Sequence, residues 1–432
     1  MELSLVLMLI LLLLLLFSGL RVAFALGIIG LLGLVLLCQG LQSPEGLLGT
    51  LVWSAVNKFT LTPLPLFVLM GELLVVGKMG ETLYGTLSMW LQNTRGGVCH
   101  ATTISCAIFA AMSGSSIATS ATLGRIAAPE MIKQGISRRL TYGAIAAGGT
   151  LGIRIPPSVT MIIYGNLAAV SIGHCFIAGV IPGILATLSF ILLVAIWGRI
   201  LPNEIRMASP VKIRLRDKLV RSIKILSPMG VIAAVLGGIY LGVTTPTEAA
   251  AVGALCALIL SIAQRELTLA KLWKAALSTV QVTSFILLIV ASASVVSFVM
   301  QYLRVPEAIT EYVIESHLSK YVVITAFVAL YFILGMLIDP ISMMVMTVPT
   351  LLPTVIHMGF DPIWFAVVVT MMCEIGNITP PVGMNLYVVQ GVCNASLGEV
   401  AQGSAPFVLA LLIDVAIITA FPIIATWLPS IM

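Results

Sequence analysis

Two pairs of consecutive prolines, Pro156-Pro157 and Pro380-Pro381, mark where this sequence could do chemistry. Proline has no backbone N–H and its ring clashes with the preceding turn, so a pair set inside a helix frees carbonyl oxygens from the i to i−4 ladder. In hydrocarbon those oxygens need partners, and unwound backbone at membrane depth is tolerated only where it lines protein or an aqueous cavity. There the carbonyls can coordinate a hard cation while half-helix N-termini face an anion. Two such breaks would make two cation sites with one solute cavity between them.

The pairs belong to a repeat. Leu151-Gly-Ile-Arg-Ile-Pro-Pro-Ser-Val-Thr-Met161 answers Ile375-Gly-Asn-Ile-Thr-Pro-Pro-Val-Gly-Met384, each with a glycine four residues ahead of the prolines. Ser171 and Gly173 answer Ser396 and Gly398, and Gly179 and Pro182 answer Gly403 and Pro406, at an offset of 224 or 225 residues. The same offset carries the polar break Ser113-Gly-Ser-Ser116 to Leu337–Pro340. A lone proline would be read as a packing kink; the matched pairs point to two related halves.

The elements that must position these breaks lie in lipid. Of 432 residues 59% are hydrophobic and 9% charged, with a mean hydropathy of +1.13, which no water-soluble surface could carry. The length allows roughly ten to twelve membrane segments, and Leu3–Phe17, lacking a basic start and a cleavage site, reads as a retained first helix. Arg199, Arg206, Lys212, Arg214, Arg216, Lys218, Arg221 and Lys224 crowd one linker, Arg265, Lys271 and Lys274 the next, and Arg125, Lys133, Arg138 and Arg139 a third cluster. The positive-inside rule puts all three on the cytoplasmic face. That topology explains the net charge of +5 without nucleic acid as a partner. Counted from these anchors, the hairpin around Ser113 enters from the cytoplasm and the one around Asp339 from the opposite face, the inverted repeat of secondary transporters. The seven cysteines, Cys38 among them, contain no CxxC pair and read as small buried hydrophobes.

Ionisable groups in apolar surroundings are functional candidates by default. Asp339 ranks first, at the second break and just before Pro340, as a tuner of a cation site or a gate. Glu374 precedes the second proline pair; Glu72 and Glu248 read as helix-packing partners, and Asp414 as a capping or pairing group in the last bundle.

Taken together, Pro63-Leu-Pro-Leu-Phe-Val-Leu-Met-Gly-Glu72, the Ser-Gly-Ser-Ser tip, Gly149–Ser158 and Glu374–Asn385 resemble the large membrane subunit of the tripartite ATP-independent periplasmic (TRAP) transporters over essentially the whole chain. The resemblance implies an all-α polytopic membrane protein of elevator type, with two re-entrant hairpins and two broken helices, in the bacterial inner membrane. It implies sodium as coupling ion, a small four-helix membrane subunit, and a periplasmic binding protein that delivers an organic acid. Carried over position by position, one sodium site would use Ser113, Ser116, Gly152, Ile155 and Pro157, and the other Gly335, Gly376, Thr379 and Val382. Ser115, Arg154, Ser158, Asp339, Glu374 and Asn385 would serve substrate binding or gating. Arg154 departs from the family, where that position is aliphatic; it is expected to face the cavity and hold a substrate carboxylate, or to pair with Asp339 or Glu374.

The chain divides into scaffold helices over 1–94, a first transport repeat over 95–198, a basic linker with central scaffold helices over 199–320, and a second transport repeat with the C-terminal helices over 321–432. No HExxH, GxSxG or clustered His and carboxylate set favours an enzyme. The nearest alternative is a stand-alone ion-coupled carboxylate carrier without a periplasmic partner.

Overall fold

The computed structural model describes residues 2–37, 44–205 and 214–432; Cys38, Arg206 and Lys212 lie outside the described residues. Apolar residues run without a strongly polar face along most segments, and helix is the one local structure that satisfies every backbone group within such a segment. The first half contains α1 (Glu2–Phe17), α2 (Val22–Leu37), α3 (Pro44–Val56), α4 (Pro63–Val76), α5 (Met79–Leu91), α6 (Gly97–Ser113), α7 (Ser116–Lys133), α8 (Arg138–Arg154), α9 (Val159–Leu167) and α10 (Ile172–Ile200). The second contains α11 (Leu215–Tyr240), α12 (Pro246–Ala263), α13 (Leu269–Tyr302), α14 (Val305–Glu315), α15 (Lys320–Gly335), α16 (Pro340–His357), α17 (Pro362–Asn377), α18 (Met384–Cys393), α19 (Leu397–Ala420) and α20 (Ile423–Ser430).

The repeat legible around the prolines extends through most of the element order. α6–α10 correspond to α15–α19, and α2 corresponds to α12. The continuous helix α13 corresponds to α3 and α4 together, which an interruption at residues 57–62 separates. Lys78 and Arg304 hold the same left-handed conformation, φ 56° each, at the joints before α5 and α14. Packing repeats too: α2 lies along α13 and α12 along α4, while arm α9 packs on α16 and arm α18 on α7.

Seven helical stretches among the described residues are long and apolar enough to cross a bilayer. That is fewer than the roughly ten to twelve segments expected from length, because several apolar helices, α2 and α3 as well as those at the breaks, are shorter than 18 residues. α6, α8, α15 and α17 have 16 or 17 residues, and α9 and α18 have 9 and 10. α13, at 34 residues and about 51 Å, exceeds the hydrocarbon thickness and is the longest strut of the frame. Leu188, Leu192, Leu255, Leu409 and Ile413 stand exposed, as side chains facing lipid do. The described cysteines are free, with Cys99, Cys106, Cys175 and Cys373 buried and Cys256 and Cys393 partly so.

Candidate functional site

Each proline pair ends a helix. The i+4 partners of the Gly152 and Ile153 carbonyls are Pro156 and Pro157, and those of Gly376 and Asn377 are Pro380 and Pro381, so proline denies four oxygens their usual donors. In the second half a tighter turn recovers one of them, the Thr379 N–H reaching the Gly376 oxygen at 3.2 Å. Both Pro–Pro bonds are cis. The chain restarts beyond each break with a different device: Ser158 caps α9 by accepting from the Met161 N–H, whereas Gly383, with φ 32°, opens α18 in the left-handed region.

A hairpin tip lies against each broken end. α6 closes on Gly114 at φ 59°, and Ser115 then caps α7 by accepting from the Ala118 N–H. Ser113 Oγ lies 3.1 Å from Thr119 Oγ1, which donates to the Ser115 carbonyl at 2.8 Å. Gly152 is seated so close that a Cβ there would fall 2.7 Å from the Ser115 carbonyl carbon, and one on Gly114 would fall 2.7 Å from the Pro157 oxygen. The second half repeats this: a Cβ on Gly376 would lie 2.6 Å from the Gly335 oxygen, and the Val382 N–H donates to the Met336 carbonyl at 3.0 Å. Thr379 Oγ1 donates to the Ile375 carbonyl at 2.6 Å. Ile155, the residue after α8, packs against Gly183.

The two halves interlock at the same level. Asn377 donates to Ser116 Oγ at 3.5 Å, and Asn385 donates to the Ala146 carbonyl at 3.3 Å. Arg154 pairs with Glu374, both side chains wholly buried, and its other guanidinium arm donates to the Pro182 carbonyl at 3.3 Å. Of the arrangements open to Arg154, the chain adopts the pair with Glu374, outside the lining of the cavity described next. Asp414 accepts from Ser189 at 2.7 Å, and Glu248 closes a capping box with Thr245 at the start of α12.

Both tips open on one cavity of about 270 Å³, bounded by Ser113–Ala118, Asp339–Ile341, Thr160, Met384 and the inner faces of α4 and α13. Asp339 caps α16 through Oδ2, 3.1 Å from the Ser342 nitrogen, while its Oδ1 is buried without a partner. Glu72 lines the opposite wall and accepts from Ser278 at 2.7 Å; it is a packing partner as its sequence setting suggests, and a wall residue besides. Among the described residues no Lys, Arg or His lines this cavity, so a bare anion would meet two carboxylates and no countercharge from them. Thr160, Asn377 and Met384 fall within the repeated segments without standing among the candidate site residues, and the packing of α9, α17 and α18 brings them to the site.

Repeated halves, crossed arms and two tips on one cavity define a two-repeat, all-helical membrane fold. It is shared with the YdaH transporter of Alcanivorax borkumensis, at a TM-score of 0.63 over 90% of this chain and 89% of that one, with 16% identity. Residues 9–424 match the family model "Tripartite ATP-independent periplasmic transporter, DctM component". The chain therefore belongs to the DctM family, the large permeases of TRAP transporters. It is 32% identical over 409 residues to the C4-dicarboxylate TRAP transporter large permease of Pseudomonas aeruginosa, covering 94% of each chain. It is 31% identical over 388 residues to the sialic acid TRAP transporter permease of Haemophilus influenzae, covering 88% of this chain and 61% of that one.

Proposed function

We propose that this chain moves an organic acid inward across the bacterial inner membrane, coupled to sodium, as the translocating subunit beside a small membrane subunit and a periplasmic binding protein. The observation that carries this reading is the charge of the cavity between the tips, Glu72 and Asp339 without a cation. A carboxylate solute is repelled there until cations arrive, and the oxygens freed at the two proline breaks adjoin the same tips. Ser113, Ser116, Gly152, Ile155 and Pro157 would hold one sodium ion, and Gly335, Gly376, Thr379 and Val382 the other. Sodium is thereby a precondition of substrate binding rather than a bystander. The hairpins α6–α7 and α15–α16, with their broken helices, would travel as one body against the frame of α4, α12 and α13, carrying the site from one face to the other. Relatives named for a C4-dicarboxylate and for sialic acid support a carboxylate as the solute class.

Asp339→Asn checks the electrostatic part. Asparagine caps a helix as well as aspartate does, so α16 should persist while one negative charge is lost. At an effective dielectric near 20, a charge 6–10 Å from the ion contributes about 1.5–3 kcal/mol. The sodium concentration for half-maximal transport should rise roughly tenfold or more; full rate with wild-type sodium dependence would remove Asp339 from the site.

The reading as a whole is tested by uptake into proteoliposomes holding both membrane subunits, supplied with a panel of loaded binding proteins. Uptake is expected only with an inward sodium gradient. Equal uptake with potassium or choline would refute sodium coupling, and uptake by this chain alone, with free solute, would favour the stand-alone carrier.

A further inference from the structure

Val282 and Ile286 of α13 line the cavity between the tips, and Val290, Ser294, Ser297 and Gln301 on the same helix line a second cavity of about 340 Å³. α16 runs in parallel with this path, Ile341 bordering the first cavity and Val345 and Pro349 the second. Steps of four residues along both helices put the cavities about one helical turn apart on a shared groove. α13 begins beside Arg265, Lys271 and Lys274, so the second cavity lies toward the opposite, periplasmic end of the groove.

The stretch 57–62, where the first half is interrupted and the second half is not, reaches this outer cavity through Lys58. Lys58 lines the cavity and also the adjoining hollow formed with Phe59, Thr60, Gly165 and Asn166. Among the described residues neither space is lined by an Asp or Glu, and Lys58 forms no ion pair. Asn166, near the end of α9, is 9% exposed. Thr60 Oγ1 donates to its Oδ1 at 2.9 Å, which leaves the amide N–H groups for another acceptor. A lone ammonium beside amide and hydroxyl donors suits a carboxylate, since charge-assisted hydrogen bonds are roughly twice as strong as neutral ones.

We propose that Lys58 and Asn166 form an outer carboxylate site at the periplasmic mouth of this groove, which receives the organic acid before the sodium-loaded inner site takes it. The proposal rests on the carrier reading above. It also accounts for the order of charges along the groove, Lys58 at the mouth and Glu72 and Asp339 at the tips: the outer site attracts the anion without sodium, and the inner one admits it only with sodium.

Two measurements test it. In the full chain, a Ser297→Cys reporter is modified with the anionic 2-sulfonatoethyl and the cationic 2-trimethylammonioethyl methanethiosulfonates, with Lys58 present or replaced by glutamine. Removing one unit charge about 8 Å away in water should lower the anion-to-cation rate ratio about fivefold, and Lys58→Arg should keep it. In counterflow of labelled succinate, malate or N-acetylneuraminate, Lys58→Gln should raise the half-saturating concentration about three- to tenfold, with Lys58→Arg close to wild type. The counterflow change should be the same in phosphatidylcholine vesicles with or without phosphatidylglycerol. An unchanged thiol ratio, an unchanged half-saturating concentration, or an effect confined to phosphatidylglycerol vesicles, which would make Lys58 a lipid contact, overturns the proposal. A wild type that carries none of these acids refutes the carrier reading for them, while the thiol ratio still decides whether the outer site draws anions.

Discussion

Glu374→Gln is expected to lower the thermal unfolding midpoint sharply and to cost about 3–5 kcal/mol, the range for breaking a buried ion pair from one side. Arg154 and Glu374 have no solvent exposure, and one Arg154 donor, Nε, already lacks a partner. Stripped of Glu374, the guanidinium is left as a buried cation without its counter-charge. Arg154→Leu should be far milder, since the carboxyl left behind can be neutralised by a proton. The pair joins α8 of the first half to α17 of the second, so the asymmetry should appear in scanning fluorimetry of the purified protein and in membrane yield. Substrate affinity should be unaltered in Arg154→Leu, because Arg154 does not line the cavity. Equal destabilisation by both variants would contradict the buried-pair account, and a weakened substrate affinity in Arg154→Leu would restore a direct role for the guanidinium.

The second large effect is expected at Gly376. An added Cβ would lie 2.6–2.8 Å from the Gly335 oxygen, Cα and carbonyl carbon, all backbone atoms with no flexible end to move aside. Gly376→Ala must therefore push the second tip away from the broken helix by a substantial fraction of an ångström. A misplacement of about 1 Å can cost about a hundredfold in rate, and transport should fall to roughly a hundredth. Gly152→Ala should do the same at the first tip, where the close atoms belong to Ser115 and Ser116. Gly391→Ala, with nothing within 4 Å of its added Cβ, is the control. Should Gly376→Ala transport at the wild-type rate, close tip contact has no part in the mechanism.

Much of this was legible in the residues because backbone chemistry, unlike side-chain placement, is local. A proline pair denies donors wherever it sits, so the two breaks and their matched glycines could be found by comparing the chain with itself. The partnership of Arg154 with Glu374 could be read only as one of several, because 220 residues separate the two and their meeting depends on how α8 and α17 pack. The repeat of the frame helices was hidden for a related reason. α13 is a single helix where α3 and α4 are two, and apolar helices of similar composition carry little to align. The joints at Lys78 and Arg304 betray the correspondence through φ, a property that side-chain type does not announce. Lys58 carries no motif around it, and only the fold sets it on the wall of a cavity.

The central claim is that sodium held by main-chain oxygens at the two breaks turns a negatively charged cavity into a receptor for an anion. It is tested most directly by the affinity of the purified membrane complex for its acid at ~1 and ~100 mM sodium, with choline keeping ionic strength constant. The account predicts at least about tenfold tighter binding at the higher concentration, a coupling within the usual range for linked sites, and loss of that gain in a Gly152→Ala, Gly376→Ala double variant. Equal affinity at both concentrations in the wild type would contradict it.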